Sequence, residues 1–321
     1  MNKKESKKKY VSSKWIKTLA LIKNTDLKTY IPETRKANFE SVNEMLNKHH
    51  VVYVKPSRGS LGKGVMRIKK TNENEEIIYE WQQDLEVKQY SSYNALYNDL
   101  SHHIQKTKRL HIVQKGIDMV KYKDRSADIR VMVQQNTNSE WEVTGIIARL
   151  SHPKKVVTNI SSGGIICNIE TLINHLCQYD NNLIEKLKWI GLETAKQMNK
   201  TYPNMKESGL DIALDQNLHP WILEVNTKPS VIPFTRLEDK SIIEKIVLYG
   251  KDYGRHYYLK PKFDVKGNRI IKPKKRSRKG GKGITNILEN THPEKRQKVA
   301  KPFPRKYKRY RKRIPSKKVI L

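Results

Sequence analysis

The sequence predicts a mixed α/β chain, a two-lobed unit over residues 13–254 carrying a basic appendage over residues 255–321. Three observations predict it. Short apolar β-runs alternate with segments whose apolar residues recur every three or four positions, the periods of strand and helix. The 321 residues are 36% hydrophobic, so the part before the appendage can bury a core of two small lobes. After about residue 255 the composition changes abruptly: residues 255–321 hold 25 Lys and Arg against 3 Asp and Glu, +22 of the whole chain's +33.

In chain order, residues 1–12 open as Met1-Asn-Lys-Lys-Glu-Ser-Lys-Lys-Lys9, a basic extension without the apolar core of a signal peptide. Helical spacing then occurs from Asn38 to Leu46, Ala95 to Ile104, Ile169 to Cys177 and Leu183 to Met198. Val51-Val-Tyr-Val54, Lys55-Pro56, the loop Ser57-Arg-Gly-Ser-Leu-Gly-Lys-Gly64 and Val65-Met-Arg-Ile68 read as strand, glycine loop and strand. Glycines 59, 62 and 64 let backbone amides approach phosphate oxygens, and Lys55 at the strand end supplies fixed positive charge. No helix pattern follows the loop, which excludes a Walker A loop, and the Rossmann spacing is absent as well.

The densest chemical signal lies further on. Gly209-Leu-Asp-Ile-Ala-Leu-Asp215, a polar turn from Gln216 to Pro220, and Trp221-Ile-Leu-Glu-Val-Asn-Thr-Lys-Pro229 read as two strands joined by a turn. Side chains alternate across a strand, so Glu224 and Asn226 share a face, and a hairpin folds Asp211 back to the same side. Two carboxylates and an amide oxygen make an all-oxygen site suited to Mg²⁺ carrying nucleotide phosphates.

Taken together, these segments resemble the ATP-grasp superfamily. The order Lys55-Pro with its glycine loop, Val113-Gln-Lys-Gly-Ile117, Asp128-Ile-Arg130, Ala148-Arg149, Thr158-Asn-Ile-Ser-Ser-Gly-Gly164 and Asp211 to Glu224-Val-Asn226 resembles glutathione synthetase and related carboxylate-amine ligases. Tyr53-Val-Lys-Pro, Asp128-Ile-Arg-Val-Met-Val-Gln, Trp141-Glu-Val-Thr-Gly and Leu223-Glu-Val-Asn-Thr-Lys-Pro-Ser230 are similar to the YheC/YheD family, the endospore coat-associated ATP-grasp proteins of spore-forming bacteria. The resemblance covers roughly residues 10–250. It implies an ATP-grasp fold whose two lobes clasp Mg·ATP, and a ligase reaction in which ATP phosphorylates a carboxylate that an amine then attacks. It implies phosphate binding by Lys55 and by Arg58, Gly59, Ser60, Gly62, Lys63 and Gly64. Gln114, Lys115, Gly116 and Ile117 match the hinge that meets adenine. Arg130, Arg149 and Asn159, the last beside Gly163-Gly164, match the catalytic centre that holds substrate carboxylate and transferred phosphoryl group. Asp211, Glu224 and Asn226 match the metal ligands.

About fifty residues precede Lys55, too few for an independent core, so the separate first domain of ATP-grasp enzymes is expected to be largely missing. Its upstream lysine corresponds to Lys14 or Lys17, and the sequence does not choose between them. The carboxylate and amine substrates are not identified by any motif.

The remaining features bound the setting. Cys167 and Cys177 lack metal spacing and read as reduced packing residues of an intracellular protein. His49, His50, His102 and His103 lack ligand partners in the sequence and read as solvated. No apolar stretch approaches the roughly 20 residues of a membrane span. The expected setting is cytoplasmic and associated with the endospore coat. The tail, with blocks such as Lys274–Lys282 and Arg305–Arg313, cannot build a core and is expected to be disordered. Tyr307 and Tyr310 among its arginines suit DNA, RNA or another polyanion, while a solubilising or coat-assembly segment suits the same composition equally. The alternative to a ligase is accordingly a nucleotide-binding structural coat protein whose tail is its working part.

Overall fold

Two six-stranded antiparallel sheets, each backed by helices, account for most of the residues described by the computed structural model, namely 10–60, 62–73, 75–151, 164–177 and 181–259. The first sheet contains β1 (Thr34–Lys36), β2 (Val51–Pro56), β3 (Met66–Glu73), β4 (Glu76–Gln83), β5 (Glu86–Tyr90) and β6 (His111–Lys115) in the order β1-β6-β2-β3-β4-β5. The second contains β7 (Lys121–Tyr122), β8 (Arg125–Gln135), β9 (Trp141–Leu150), β10 (Ile165–Asn168), β11 (Glu207–Leu214) and β12 (Pro220–Asn226), ordered β10-β9-β8-β11-β12 with β7 on β8.

Local chemistry starts and stops two of the expected helices one to three residues from the ends that the spacing gives. Asn38 caps α3 (Phe39–His49) through a capping box with Ser41, and His50 ends it in the left-handed region at φ 59°. Ser92 caps α4 (Tyr93–Thr107). The apolar stripes of these two helices meet one face of the first sheet, where Val42, Met45, Leu46, Leu96 and Leu100 bury Val52, Val54, Ile68 and Trp81. The expected glycine loop does join two strands, β2 and β3.

The second sheet is covered on both faces. On one side lie α1 (Lys14–Leu21), α2 (Thr25–Lys28), α5 (Ile169–Cys177) and α6 (Asn181–Thr201), packed on Ile129, Val131, Val133, Leu210 and Ile212. On the other, a 3-10 helix (Ile232–Arg236) and α7 (Ser241–Asp252) bury Met132 and Ile147 with Phe234, Leu237 and Ile246. Strand β8 is therefore buried along nearly its whole length, with apolar residues to one face and Asp128, Arg130 and Gln134 to the other. Packing continues past α7: Tyr257 lies against Gly250, and both Tyr253 and Tyr257 donate hydrogen bonds to Glu207.

Helices α1, α2 and α7 carry no stated sequence expectation: α2 spans only four residues, too few for a periodic signal, and α7 starts without a side-chain cap. The histidines divide. His49 Nε2 lies 2.9 Å from Glu33 Oε2, and His103 sits 5.1 Å from the Trp81 ring, so these two are engaged rather than solvated. Cys167 is half-buried, and burial pushes its thiol pKa up, in keeping with a packing residue. Among the described residues no helix is long and apolar enough to cross a membrane. Asn159, Gly163 and residues 260–321, the bulk of the expected disordered tail, lie outside the described residues.

Glycine 209 marks a close approach in this framework. A Cβ there would stand 2.7 Å from the Pro229 Cβ and 3.4 Å from the Arg130 Cδ. Gly209→Ala should therefore lower stability by roughly 1–3 kcal/mol, read as a shifted urea midpoint with unchanged slope. An unchanged midpoint would show that the 229 turn yields freely.

Candidate functional site

The two sheets face each other across a cleft of about 140 Å³. From the first sheet come Tyr53, Lys55, Gln114 and Lys115; from the second come Asp128, Arg149, Asp211, Leu223 and Glu224; the loop gives Gly59, Ser60, Gly62 and Lys63, and the segment after β6 gives Ile117 and Met119. Most of the residues expected at a nucleotide site thus meet in one place. Arg58, Gly64, Gly116, Arg130 and Asn226 do not line the cleft but adjoin residues that do.

Register explains the acidic wall. Asp211 on β11 stands opposite Arg130 on β8 and opposite Glu224 on β12, while Asp128 on β8 stands opposite Arg149 on β9. Because side chains two apart share a face, these groups project together. Arg149 grips Asp128 in a fork, Nε to Oδ1 and Nη2 to Oδ2, both at 2.6 Å, and its Nη2 also lies 3.0 Å from Asp211 Oδ1. Arg130 Nε donates to the same Oδ1 at 2.6 Å, and Asn226 Nδ2 donates to Oδ2 at 3.3 Å. Burial opposes ionisation of Asp211, yet Arg130 and Arg149 outweigh it and hold the carboxyl down to about 2. Burial likewise opposes the Arg149 charge, and Asp128 with Asp211 overcomes it, pushing that pKa upward.

Opposite this wall stand buried lysines. The Lys55 ammonium donates to Gln114 Oε1 at 2.7 Å and to the Leu223 carbonyl at 3.4 Å, and Gln114 Nε2 in turn donates to Thr34 Oγ1 at 3.0 Å. Burial lowers the Lys55 pKa to about 8, against the pull of Glu224. Helix α1 brings two more. Lys14 Nζ is 3.2 Å and Lys17 Nζ 3.8 Å from Glu224 Oε1, and Lys17 also donates to the Val225 carbonyl. Both candidates for the upstream lysine therefore reach the same carboxylate; Lys14 lines the cleft, and Lys17 lies buried behind it at 4% exposure.

The loop and linker are positioned by their backbones. Gly62 and Gly64 adopt φ of 71° and 73°, left-handed values that admit glycine without strain. The Lys115 amide donates to the Glu33 carbonyl and the Gly116 amide to the Val51 carbonyl, each at 2.9 Å. At Gly116 a Cβ would lie 2.8 Å from that Val51 oxygen, so glycine is required for the bond.

The oxygen donors of Asp211 and Glu224 fit a hard divalent cation, as neighbours on adjacent strands facing one cleft. Among the described residues no three His, Cys, Asp or Glu side chains form a metal cage. A metal here would take its remaining oxygens from Asn226, from water or from a nucleotide. Asp128, Tyr53 and Leu223 were not among the expected site residues. Asp128 was detectable as the i−2 neighbour of Arg130 on the same strand face; the other two carry no chemical signal.

Residues 5–257 match the YheC/D-like ATP-grasp family. The endospore coat-associated protein YheD of Bacillus subtilis is 23% identical over 224 residues, 68% of this chain and 48% of YheD. YheC of the same organism, also an endospore coat-associated protein, is 24% identical over 256 residues, 79% of this chain and 69% of YheC. The chain thus spans about half the length of YheD. Tubulin glycylase 3D of Tetrahymena thermophila is 33% identical over 75 residues, 22% of this chain and 7% of that protein. A crystal structure of the D-cycloserine synthetase DcsG aligns over 75% of this chain and 70% of its own, with TM-score 0.47 and 12% identity.

The buried lysines carry a stability cost with a definite pH dependence. Lys17, at about 8 in the native protein against an ordinary 10.5, binds its proton more weakly folded than unfolded. Stability therefore rises as pH climbs through that window, and below it the penalty is constant. Lys17→Met should stabilise the protein by roughly 1–2 kcal/mol at pH 7 and by less at pH 9.5, read from urea unfolding at both. A destabilised variant at pH 7 would show that the contacts of Lys17 outweigh its desolvation.

Proposed function

The chain belongs to the YheC/D-like ATP-grasp family, and from that premise we propose that it binds Mg·ATP in the cleft and uses it to join a carboxylate to an amine. The convergence of Lys55, the glycine loop, Arg149, Asp211 and Glu224 on one cleft supports this reading most directly. In the reaction the γ-phosphoryl group passes to the carboxylate oxygen with release of ADP, and the amine then displaces phosphate to leave an amide. The chain's part is positioning and charge neutralisation.

Lys55 would meet the phosphates from the first sheet, and Arg58, Gly59, Ser60, Gly62, Lys63 and Gly64 would close over them. The Lys115 and Gly116 amides are already committed to Glu33 and Val51, so adenine would meet the linker chiefly at Ile117, with Gln114 behind it. Asp211, Glu224 and Asn226 would hold Mg²⁺. Arg149, fixed by Asp128, would offer the free side of its guanidinium to the transferred phosphoryl group, and Arg130 with Asn159 would serve the substrate carboxylate. Residues 13–254 would form the grasp domain.

For the setting, we propose association with the endospore coat, since YheC and YheD carry that description. The tail supports a second, separable reading. Its net +22 makes residues 255–321 a polyanion-binding arm by counterion release, compatible with the ligase and sufficient without it.

Two measurements test these readings. With ATP, Mg²⁺ and pools of amino acids or peptides, the protein should release ADP; Lys55→Ala should weaken ATP binding, and Glu224→Gln should weaken its dependence on Mg²⁺, each by about tenfold or more. Equal affinities by calorimetry in both variants and the parent would reject the site. Truncation after Leu259 should leave ATP binding intact and flatten the salt dependence of duplex DNA binding. Equal slopes for both proteins would leave the coat-assembly alternative.

A further inference from the structure

The cleft wall is neutralised from within. Asp128, Asp211 and Glu224 are faced by Arg130, Arg149, Lys14 and Lys17, and Lys55 stands nearby, five cations for three carboxylates. Such a wall attracts a polyphosphate and has no net attraction for a bare divalent ion.

Lys14 occupies the decisive position. Its Nζ makes two contacts at once, 3.2 Å to Glu224 Oε1 and 3.2 Å to the Gly59 carbonyl oxygen. The first partner is a carboxylate assigned above to the metal, and the second belongs to the glycine loop. The ammonium is held there by the helix that bears it. Ser13 caps α1 and meets Ser57 Oγ at 2.9 Å, the Lys14 amide donates to the Ser57 carbonyl at 2.7 Å, and Gln197 donates to the Ala20 carbonyl at 2.8 Å. With its side chain 11% exposed, Lys14 is a placed charge and not a swinging surface group.

Resting on the reading that this cleft takes nucleotide and metal, we propose that Lys14 is the resident counter-ion of the metal position. Before nucleotide binds, its ammonium neutralises Glu224 in the metal's stead and fastens the glycine loop through Gly59. A triphosphate offers that ammonium a stronger anion than one carboxylate. Nucleotide therefore enters first, Glu224 is released to the divalent ion that accompanies it, and the same displacement frees the loop. One side chain couples metal loading to loop movement.

The test uses the full chain without turnover. Mn²⁺ alone is titrated by electron paramagnetic resonance, a trinitrophenyl ATP analogue is titrated in EDTA by fluorescence, and trypsin cleavage after Arg58 and Lys63 is timed by mass spectrometry. Lys14→Met should bind Mn²⁺ roughly tenfold more tightly than the parent and be cut faster at both loop sites. Lys14→Gln, which keeps a donor for Gly59, should bind Mn²⁺ more tightly with a smaller gain in cleavage, and it stands in if the methionine variant does not fold. Lys23→Met, the same charge loss on the exposed residue just after α1, should change Mn²⁺ affinity by less than about twofold. If the analogue binds the parent but both Lys14 variants match it in Mn²⁺ affinity and cleavage, the role of Lys14 is overturned and the nucleotide reading stands. If the analogue does not bind the parent, both fall.

Discussion

The carboxylate of Asp211 is the constraint around which the cleft is built. It sits on β11, between β8 and β12, largely out of water, where an unpaired charge would cost several kcal/mol. Arg130 and Arg149 meet that demand from two different strands. Because a slip of one residue would turn every side chain to the opposite face, the ion pairs and the apolar core specify one register. Arg130, Asp211 and Glu224 then fall in a row across three strands, and Asp128 with Arg149 completes the wall.

A second constraint comes from the segment before the first sheet. Residues 11–22 lace the two sheets together: Ser13 and Lys14 bond to Ser57 at the end of β2, while Val11 exchanges hydrogen bonds with Thr227 beyond β12. The same segment contributes Ala20 and Leu21 to the core of the second sheet. This lacing explains why Lys14, Lys17 and Lys55, far apart in sequence, surround one glutamate. It also explains why lysines are kept buried at a cost. Groups with displaced pKa values gather where charge must be placed before a ligand arrives, and here the displaced lysines lie against the acidic wall.

The other end of β11 is finished by a different polar cluster. Glu207, four residues from Asp211 and on the same face, accepts hydrogen bonds from Tyr253 and Tyr257, lies 3.1 Å from Arg255 and is pushed toward its neutral form by burial. Gln134 donates to both tyrosines and accepts from Thr144. The chain leading toward the basic tail is thus moored to the strand that carries Asp211, with α7 and Phe234 filling the space between.

Much of this was legible in the sequence because it is local. Periodicity placed α3, α4, α5 and α6, the glycine loop announced its hairpin, and the spacing of Glu224 and Asn226 put them on one face, since strand geometry fixes that over two residues. The order of the motifs carried the family. What the sequence by itself did not determine was which charge would face which. Asp211 reads as a metal ligand in isolation, yet in the folded chain its oxygens are held by Arg130, Arg149 and Asn226, and Glu224 is held by Lys14 and Lys17. Those pairings join residues up to 210 positions apart, and only strand register and the packing of α1 bring them within hydrogen-bonding distance. Ion pairing acts over a few ångströms in space, and the chain's own order carries no measure of that distance until the sheets have closed around it.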